Sequence, residues 1–247
     1  MIKHLQLAIS FYTRVPIATN TLDYSQLPQA AIYLPVIGWL VGSGAALAFY
    51  VATLLWSSVT AVIIALIVGI LLTGGLHEDG FADVCDGFGG GYDKARILAI
   101  MKDSHVGVYA VLGLLLLLAL KISVLSELPT ANLPWILLAG HSVSRFAPLL
   151  LMHFYHYARA EDSKAAGAVY TPRMKELLIA AGCACLPLLL LPSLCLLAII
   201  PVLLINAWLG HYFYRHIGGY TGDCLGASQQ VAEVIFYLTV SSLWIFI

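Results

Sequence analysis

Charge is what this sequence has little of. Thirteen Asp and Glu and twelve Lys and Arg make up 10% of its 247 residues, where a soluble domain carries about a quarter. Hydrophobic side chains fill 61% of the chain and mean hydropathy is +0.92. So deep a shortage excludes an ordinary soluble domain and indicates a polytopic membrane protein. Neither sign predominates: the formal net charge is −1, which gives no electrostatic reason to expect nucleic acid as a partner. Cysteine motifs are missing too. Cys85, Cys183, Cys185, Cys195 and Cys224 form no CxxC and have no histidine at zinc-ligand spacing. Three of them lie in apolar runs, where cysteine behaves as a small hydrophobe, so we expect no disulfide and no zinc site. Nor do we expect a cleavable signal: "MIKHLQLAISFYTRVP" reaches Arg14 and Pro16 early and lacks a small-residue cleavage site.

What the chain has instead is long apolar runs. A spanning helix needs about 20 mostly apolar residues. Seven windows qualify, at roughly 32–55, 57–74, 107–126, 133–153, 175–191, 193–210 and 231–247. The fold class expected is all-α, a membrane helix bundle forming one domain over 1–247, with 1–31 as an interfacial segment. Pro192 and Ser193 in "LLPSLC" suit a tight turn between the fifth and sixth windows. Basic residues gather on cytoplasmic loops. With the N-terminus in the cytoplasm, Lys3, Arg14, Lys94, Arg96, Lys102, Arg159, Lys164, Arg173, Lys175 and Arg215 all fall on that side. The opposite loops then hold only Glu127, while Lys121 and Arg145 fall inside spans.

The scarce acids are not spread evenly. Five of the thirteen lie in "GGLHEDGFADVCDGFGGGYD", residues 74–93. Read as a helix, this stretch sets Asp79, Asp83 and Asp86 at i, i+4 and i+7, within about 60° of one another. Like charges on one stripe repel unless something positive lies between them. Oxygen ligands suit Mg²⁺ or Mn²⁺, and Mg²⁺ commonly bridges carboxylates to substrate phosphates. Glu78 points about 100° away from Asp79. A charged loop between spans is commonly just a solvated face, but four glycines within 87–91 set this one apart. Downstream, Lys94, Arg96, Lys102 and Asp103 place bases beside the acids, as phosphate binding requires.

A second polar knot, "HIGGYTGDCLGA" at 216–227, precedes the last window. Asp223 in a glycine turn is ordinarily a turn residue, yet the topology puts it on the side of the first cluster, where it could join the same site. Arg145 sits within a span, which makes it a functional candidate by default, with a phosphate or an aspartate as partner. The alternative is an arginine snorkelling to the cytoplasmic face. His77, His105 and His141 are candidates for proton transfer, although a lone histidine is more often an ordinary hydrogen-bonded side chain.

"FYTRVP", "HEDGFADVCDG", "KDSHVG" and "GYTGDCLGA" together resemble the cobalamin synthase family, the adenosylcobinamide-GDP ribazoletransferases, over nearly the whole chain. The family motif HxDGxADxxDG is filled by His77, Asp79, Gly80, Ala82, Asp83, Asp86 and Gly87; Ala110 stands where the family pattern has a glycine. The resemblance implies a reaction. The ribose 3′-hydroxyl of α-ribazole, or of its 5′-phosphate, attacks the corrinoid-side phosphorus of adenosylcobinamide-GDP, and GMP leaves. It implies Mg²⁺ and a multi-pass protein of the bacterial cytoplasmic (inner) membrane with its active site facing the cytoplasm. On it, Asp79, Asp83, Asp86, Asp103 and Asp223 would hold metal, Asp83 or His77 would handle the proton, and Arg14, Arg96, Lys102, Ser104 and Arg145 would bind substrate phosphate.

Two other classes differ in checkable ways. CDP-alcohol phosphotransferases follow DGxxAR with GxxxDxxxD, a pattern this chain lacks. A cation or corrinoid transporter would set its carboxylates near the bilayer midplane, and here they sit at the loop ends of spans. Small residues in "GWLVGSGAALA" suit helix packing within one chain or between two, which leaves a homo-oligomer open.

Overall fold

The computed structural model describes residues 2–18, 22–158 and 170–247. Arg159 and Lys164, two of the bases assigned to the cytoplasmic side, lie outside the described residues. The described chain is all-helical, with no β-structure beyond an isolated bridge between Tyr157 and Tyr220. In order the helices are α1 (Ile2–Tyr12), α2 (Leu27–Ala30), α3 (Leu34–Thr53), α4 (Ser58–Thr73), α5 (Leu76–Gly90) and α6 (Lys94–Ile100). After these come α7 (Val108–Glu127), α8 (Leu133–Ser144), α9 (Ala147–Phe154), α10 (Met174–Cys185), α11 (Ile199–Ile217) and α12 (Gly222–Trp244).

Local chemistry sets these limits. Ser57 caps α4 through its side chain, Asp93 caps α6 and Thr221 caps α12, each satisfying an orphan N–H of the first turn. Prolines fill the first turns of α3, α8 and α9, where a missing N–H costs nothing. Leu191 and Pro192 separate two 3₁₀ turns, Leu186–Leu190 and Ser193–Ala198, so the expected turn falls at "LLPSLC".

By length and apolarity, four helical runs among the described residues can cross a membrane: Tyr24–Thr53, Val108–Glu127, Leu133–Phe154 and Ser193–Ile217. A fifth arises if α4 and α5, bent by 92° at Gly74 and Gly75, count as one broken span. Large apolar side chains such as Leu47, Leu71, Leu116 and Leu204 are exposed on these helices, as lipid contact requires. The protein is therefore a multi-pass membrane protein. Against the seven windows expected, four or five runs pass by length and apolarity among the described residues. The first run starts at Tyr24, inside the segment read as interfacial, and α12 begins nine residues before the seventh window. That helix carries Asp223, Gln229, Gln230 and Glu233, which depress its apolarity.

The bundle closes where glycines let backbones touch. A Cβ on Gly38 would meet the carbonyl oxygen of His141 and stand 2.7 Å from Ser142 Cα, and one on Gly42 would stand 2.9 Å from Leu138 Cα. The GxxxG of "GWLVG" thus packs α3 on α8 within the chain. Trp39 strengthens the same seam, its Nε1–H reaching Ser142 Oγ and the Cys183 carbonyl, both at 3.0 Å. We expect Gly38→Leu to force α3 from α8 and lower the thermal midpoint of the detergent-solubilised protein by about 5 °C or more. Gly182→Ala, with nothing within 4 Å of the new Cβ, should leave the midpoint unchanged or slightly raised.

Candidate active site

The acid-rich stretch is α5, and two consecutive left-handed glycines aim it. Gly74 (φ 68°) and Gly75 (φ 72°) turn the chain off the end of α4, a conformation that side chains other than glycine rarely adopt. The Arg14 side chain lies over Gly74, where a Cβ would stand 2.9 Å from Arg14 Cζ. The Arg14 backbone N–H also donates to the Leu72 carbonyl at 2.7 Å. "FYTRVP" is thereby fastened to the bend.

Helix α5 then crosses α12 at glycine distance. A Cβ on Gly80 would stand 3.0 Å from the Asp223 carbonyl oxygen, and one on Gly226 would stand 3.1 Å from the His77 carbonyl oxygen. This crossing brings Asp79 and Asp223 to the wall of one cavity of about 210 Å³, beside His77 and under Tyr12, Leu34 and Pro148. His77 is 5% exposed and its Nδ1 has no hydrogen-bond partner in the protein. A second, wider cavity of about 570 Å³ shares Asp79 and is lined by Ser10, Thr13, Arg14, Glu78 and Val106. Asp79, Asp223, His77 and Arg14 are therefore brought together from three separate parts of the chain.

Other sequence candidates lie elsewhere. Asp83 is partly buried one turn along α5 and lines neither cavity. Asp86 accepts from the backbone N–H groups of Gly107 at 2.6 Å and Ala110 at 2.9 Å. Both its oxygens are spent on the N-terminus of α7, which it caps from a neighbouring helix. Ala110 supplies only a backbone N–H, so the departure from glycine there leaves this contact intact. Lys102, Asp103 and Ser104 are exposed on the loop from α6 to α7. There Asp103 Oδ1 pairs with the His105 ring at 2.5 Å and accepts its backbone N–H at 3.0 Å. Those hydrogen bonds hold the Asp103 carboxyl below its ordinary pKa and raise that of His105. Arg96 is exposed, its backbone N–H donated to the cap Asp93. Among the described residues, no three His, Cys, Asp or Glu side chains converge as a ready metal cage.

Arg145 is 2% exposed and lies away from both cavities. Its Nη1 donates to the His141 carbonyl at 2.9 Å and lies 3.0 Å from His141 Nδ1. It belongs to a buried polar network that the sequence reading missed. Lys121 Nζ donates to Glu233 Oε1 at 2.8 Å and to Gln230 Oε1 at 2.7 Å. Gln229 joins Glu233 Oε2 at 2.7 Å and Ser144 Oγ at 2.9 Å. Gln230 Nε2 donates to Glu78 Oε1 at 2.9 Å. Removing one partner of such a buried pair costs about 3–5 kcal/mol. Two signals were available: Lys121 inside a span, and the polar string Gln229, Gln230 and Glu233 in the last one.

With this geometry in hand, the chain can be set beside known proteins. The family model described as cobalamin-5-phosphate synthase matches residues 4–241. An adenosylcobinamide-GDP ribazoletransferase of Shewanella amazonensis is 41% identical over 247 residues, covering 96% of this chain and 94% of that protein. Proteins of the same name from Shewanella frigidimarina and Leptospira interrogans are 39% and 37% identical, over 94% and 95% of this chain and 92% and 93% of their own lengths. No solved structure matches. A match over almost the whole length, in both the family model and full-length relatives, settles the lineage: this chain belongs to the cobalamin-5-phosphate synthase family.

Proposed function

We propose that this chain is an adenosylcobinamide-GDP ribazoletransferase, one integral-membrane catalytic domain over 1–247. It joins the corrinoid phosphate of adenosylcobinamide-GDP to α-ribazole or its 5′-phosphate and releases GMP. The observation that carries this reading is the meeting of Asp79 and Asp223 on one cavity that His77 also lines. Displacement at a diphosphate needs charge neutralised on the attacked and leaving groups and a place for one proton. The full-length relatives named for this reaction support the substrate assignment.

The residues present fit a divalent cation. Asp79 and Asp223 offer hard oxygen ligands from two helices, and Mg²⁺ is commonly held by one or two carboxylates with substrate phosphates completing the shell. A pair rather than a cage is what such a site requires. When bound, Mg²⁺ neutralises charge on the diphosphate oxygens. The Arg14 guanidinium, on the adjoining cavity, meets the phosphate that leaves with GMP. As the ribose oxygen bonds to the corrinoid-side phosphorus and the bond to GMP breaks, the hydroxyl proton is released, and His77 on the cavity wall is the side chain assigned to handle it. Asp83, the base first expected, lines neither cavity, and Asp86 serves α7. Lys102 and Ser104, exposed on the loop that leads to Val106 of the second cavity, are assigned to the substrate's phosphates. Arg96 and Asp103, on the same side, attract and orient the substrate. The membrane runs support the multi-pass part of this reading; a place in the bacterial inner membrane, with the cavities open to the cytoplasm and the N-terminus on that side, belongs to the proposal.

Purified full-length protein in detergent should release GMP from adenosylcobinamide-GDP and α-ribazole in the presence of Mg²⁺. Chelation should abolish release and Mg²⁺ should restore it. Corrinoid uptake by proteoliposomes without GMP release would favour a transporter instead. Asp79→Asn and Asp223→Asn should each cut turnover at least about 100-fold with the thermal midpoint kept. Asp86→Asn should behave in the opposite sense, losing about 1 kcal/mol of stability as a helix cap does while its folded fraction stays within about tenfold of parental turnover.

A further inference from the structure

Glu78 fills the free position of the motif, yet its surroundings give it a task. It lines the wide cavity beside Asp79 and also a small internal cavity lined by Lys121, Arg145, Gln230 and Glu233. Its Oε1 accepts the hydrogen bond from Gln230, which is 2% exposed. Gln230 is held in turn by Lys121, and Lys121 by Glu233. Asp223, Gly226, Gln230 and Glu233 stand at i, i+3, i+7 and i+10, so one face of α12 carries all four. That face supplies the second cavity acid, the close crossing and the grip on Glu78.

Helix α5 needs such a grip. Its N-terminus hangs on Gly74 and Gly75, which have no side chains to pack, and nothing lies within 4 Å of where a Gly75 Cβ would be. Gly80 and Gly226 set how near α5 comes to α12, and Asp86 ties the far end of α5 to the start of α7; at the first turn, about two turns away from Asp86, two small surfaces in contact do not by themselves fix rotation about the helix axis. Glu78 and Asp79 are about 100° apart on that axis. Tying Glu78 to α12 therefore sets the direction in which Asp79 points.

We infer that Glu78 is a positioning residue: its hydrogen bond to Gln230 fixes the rotation of the first turn of α5 and thereby aims Asp79 into the cavity it shares with Asp223. The consequence for turnover rests on the function proposed above; the consequence for α5 does not. Glu78 acts by the bond, not by carrying charge to the substrate, so the bond should work with its polarity reversed.

The test is a side-chain exchange. Gln230→Glu keeps the acceptor for Lys121 but sets two carboxylates face to face. It should cut kcat at least tenfold, leave KM within about threefold, and raise amide hydrogen exchange in residues 76–80 without substrate. The double variant Glu78→Gln with Gln230→Glu restores one donor and one acceptor at unchanged total charge. It should recover exchange protection and most of kcat. Parental kcat and exchange in Gln230→Glu would overturn the inference, as would a double variant no better than the single. If the parent itself releases no GMP, the proposed reaction fails, and the exchange measurements alone still decide for or against the positioning role.

Discussion

The approach of α5 to α12 over Gly80 and Gly226 is the constraint on which the site depends. At 3.0–3.1 Å from a hypothetical Cβ to the facing carbonyls, neither position has room for a side chain without moving backbone. The same contact carries Asp79 and Asp223 to one cavity. Without it, two acids 144 positions apart in sequence would belong to separate helix ends. The bend at Gly74 and Gly75 follows from the same need, because α5 lies across α12 only by leaving the direction of α4 by 92°.

Beneath the cavities the bundle holds charge where a membrane protein can least tolerate it. Lys121 and Glu233 are 3% and 1% exposed and bonded at 2.8 Å. Burying an ion pair costs desolvation that its own attraction need not repay, so bulk stability is a poor reason for it. Its geometry offers a better one. The pair, with Gln229, Gln230, Ser144 and Glu78, cross-links α5, α7, α8 and α12 by directional bonds. Apolar packing and small-residue contacts draw helices together but tolerate sliding and rotation. Hydrogen bonds with fixed donors and acceptors do not, which suits helices whose ends must present reactive side chains.

Much of this was legible in the sequence, and the failures have physical causes. Composition alone separated the chain from soluble proteins, and the apolar windows located α3, α4, α7 and α11. Three windows do not pass alone among the described residues: α4 has only 16 residues and passes only with α5, the fifth window divides into the 12-residue α10 and a 3₁₀ turn, and α12 carries Asp223 and Glu233. Helical spacing correctly put Asp79, Asp83 and Asp86 on one stripe of one helix. Spacing says nothing about what faces that stripe: α12 faces Asp79, while the start of α7 faces Asp86. Asp223 could be linked to Asp79 only through sidedness, since the crossing that joins them is a tertiary contact. Arg14 behaved similarly, tied to the bend by a backbone bond to Leu72 and laid over Gly74. Glu78 was set aside because the motif leaves its position free and its face points away from Asp79; the partner on that face, Gln230, lay 152 residues on.

Asp79 and Asp223 acting as one divalent-cation site is the claim that everything else serves. An anomalous-scattering map of the full-length protein with Mn²⁺ and adenosylcobinamide-GDP tests it most directly. The account predicts a manganese peak between the carboxylates of Asp79 and Asp223, with diphosphate oxygens completing its shell. Manganese bound instead at Asp86 or Asp103, with Asp79 and Asp223 turned from each other, would contradict it.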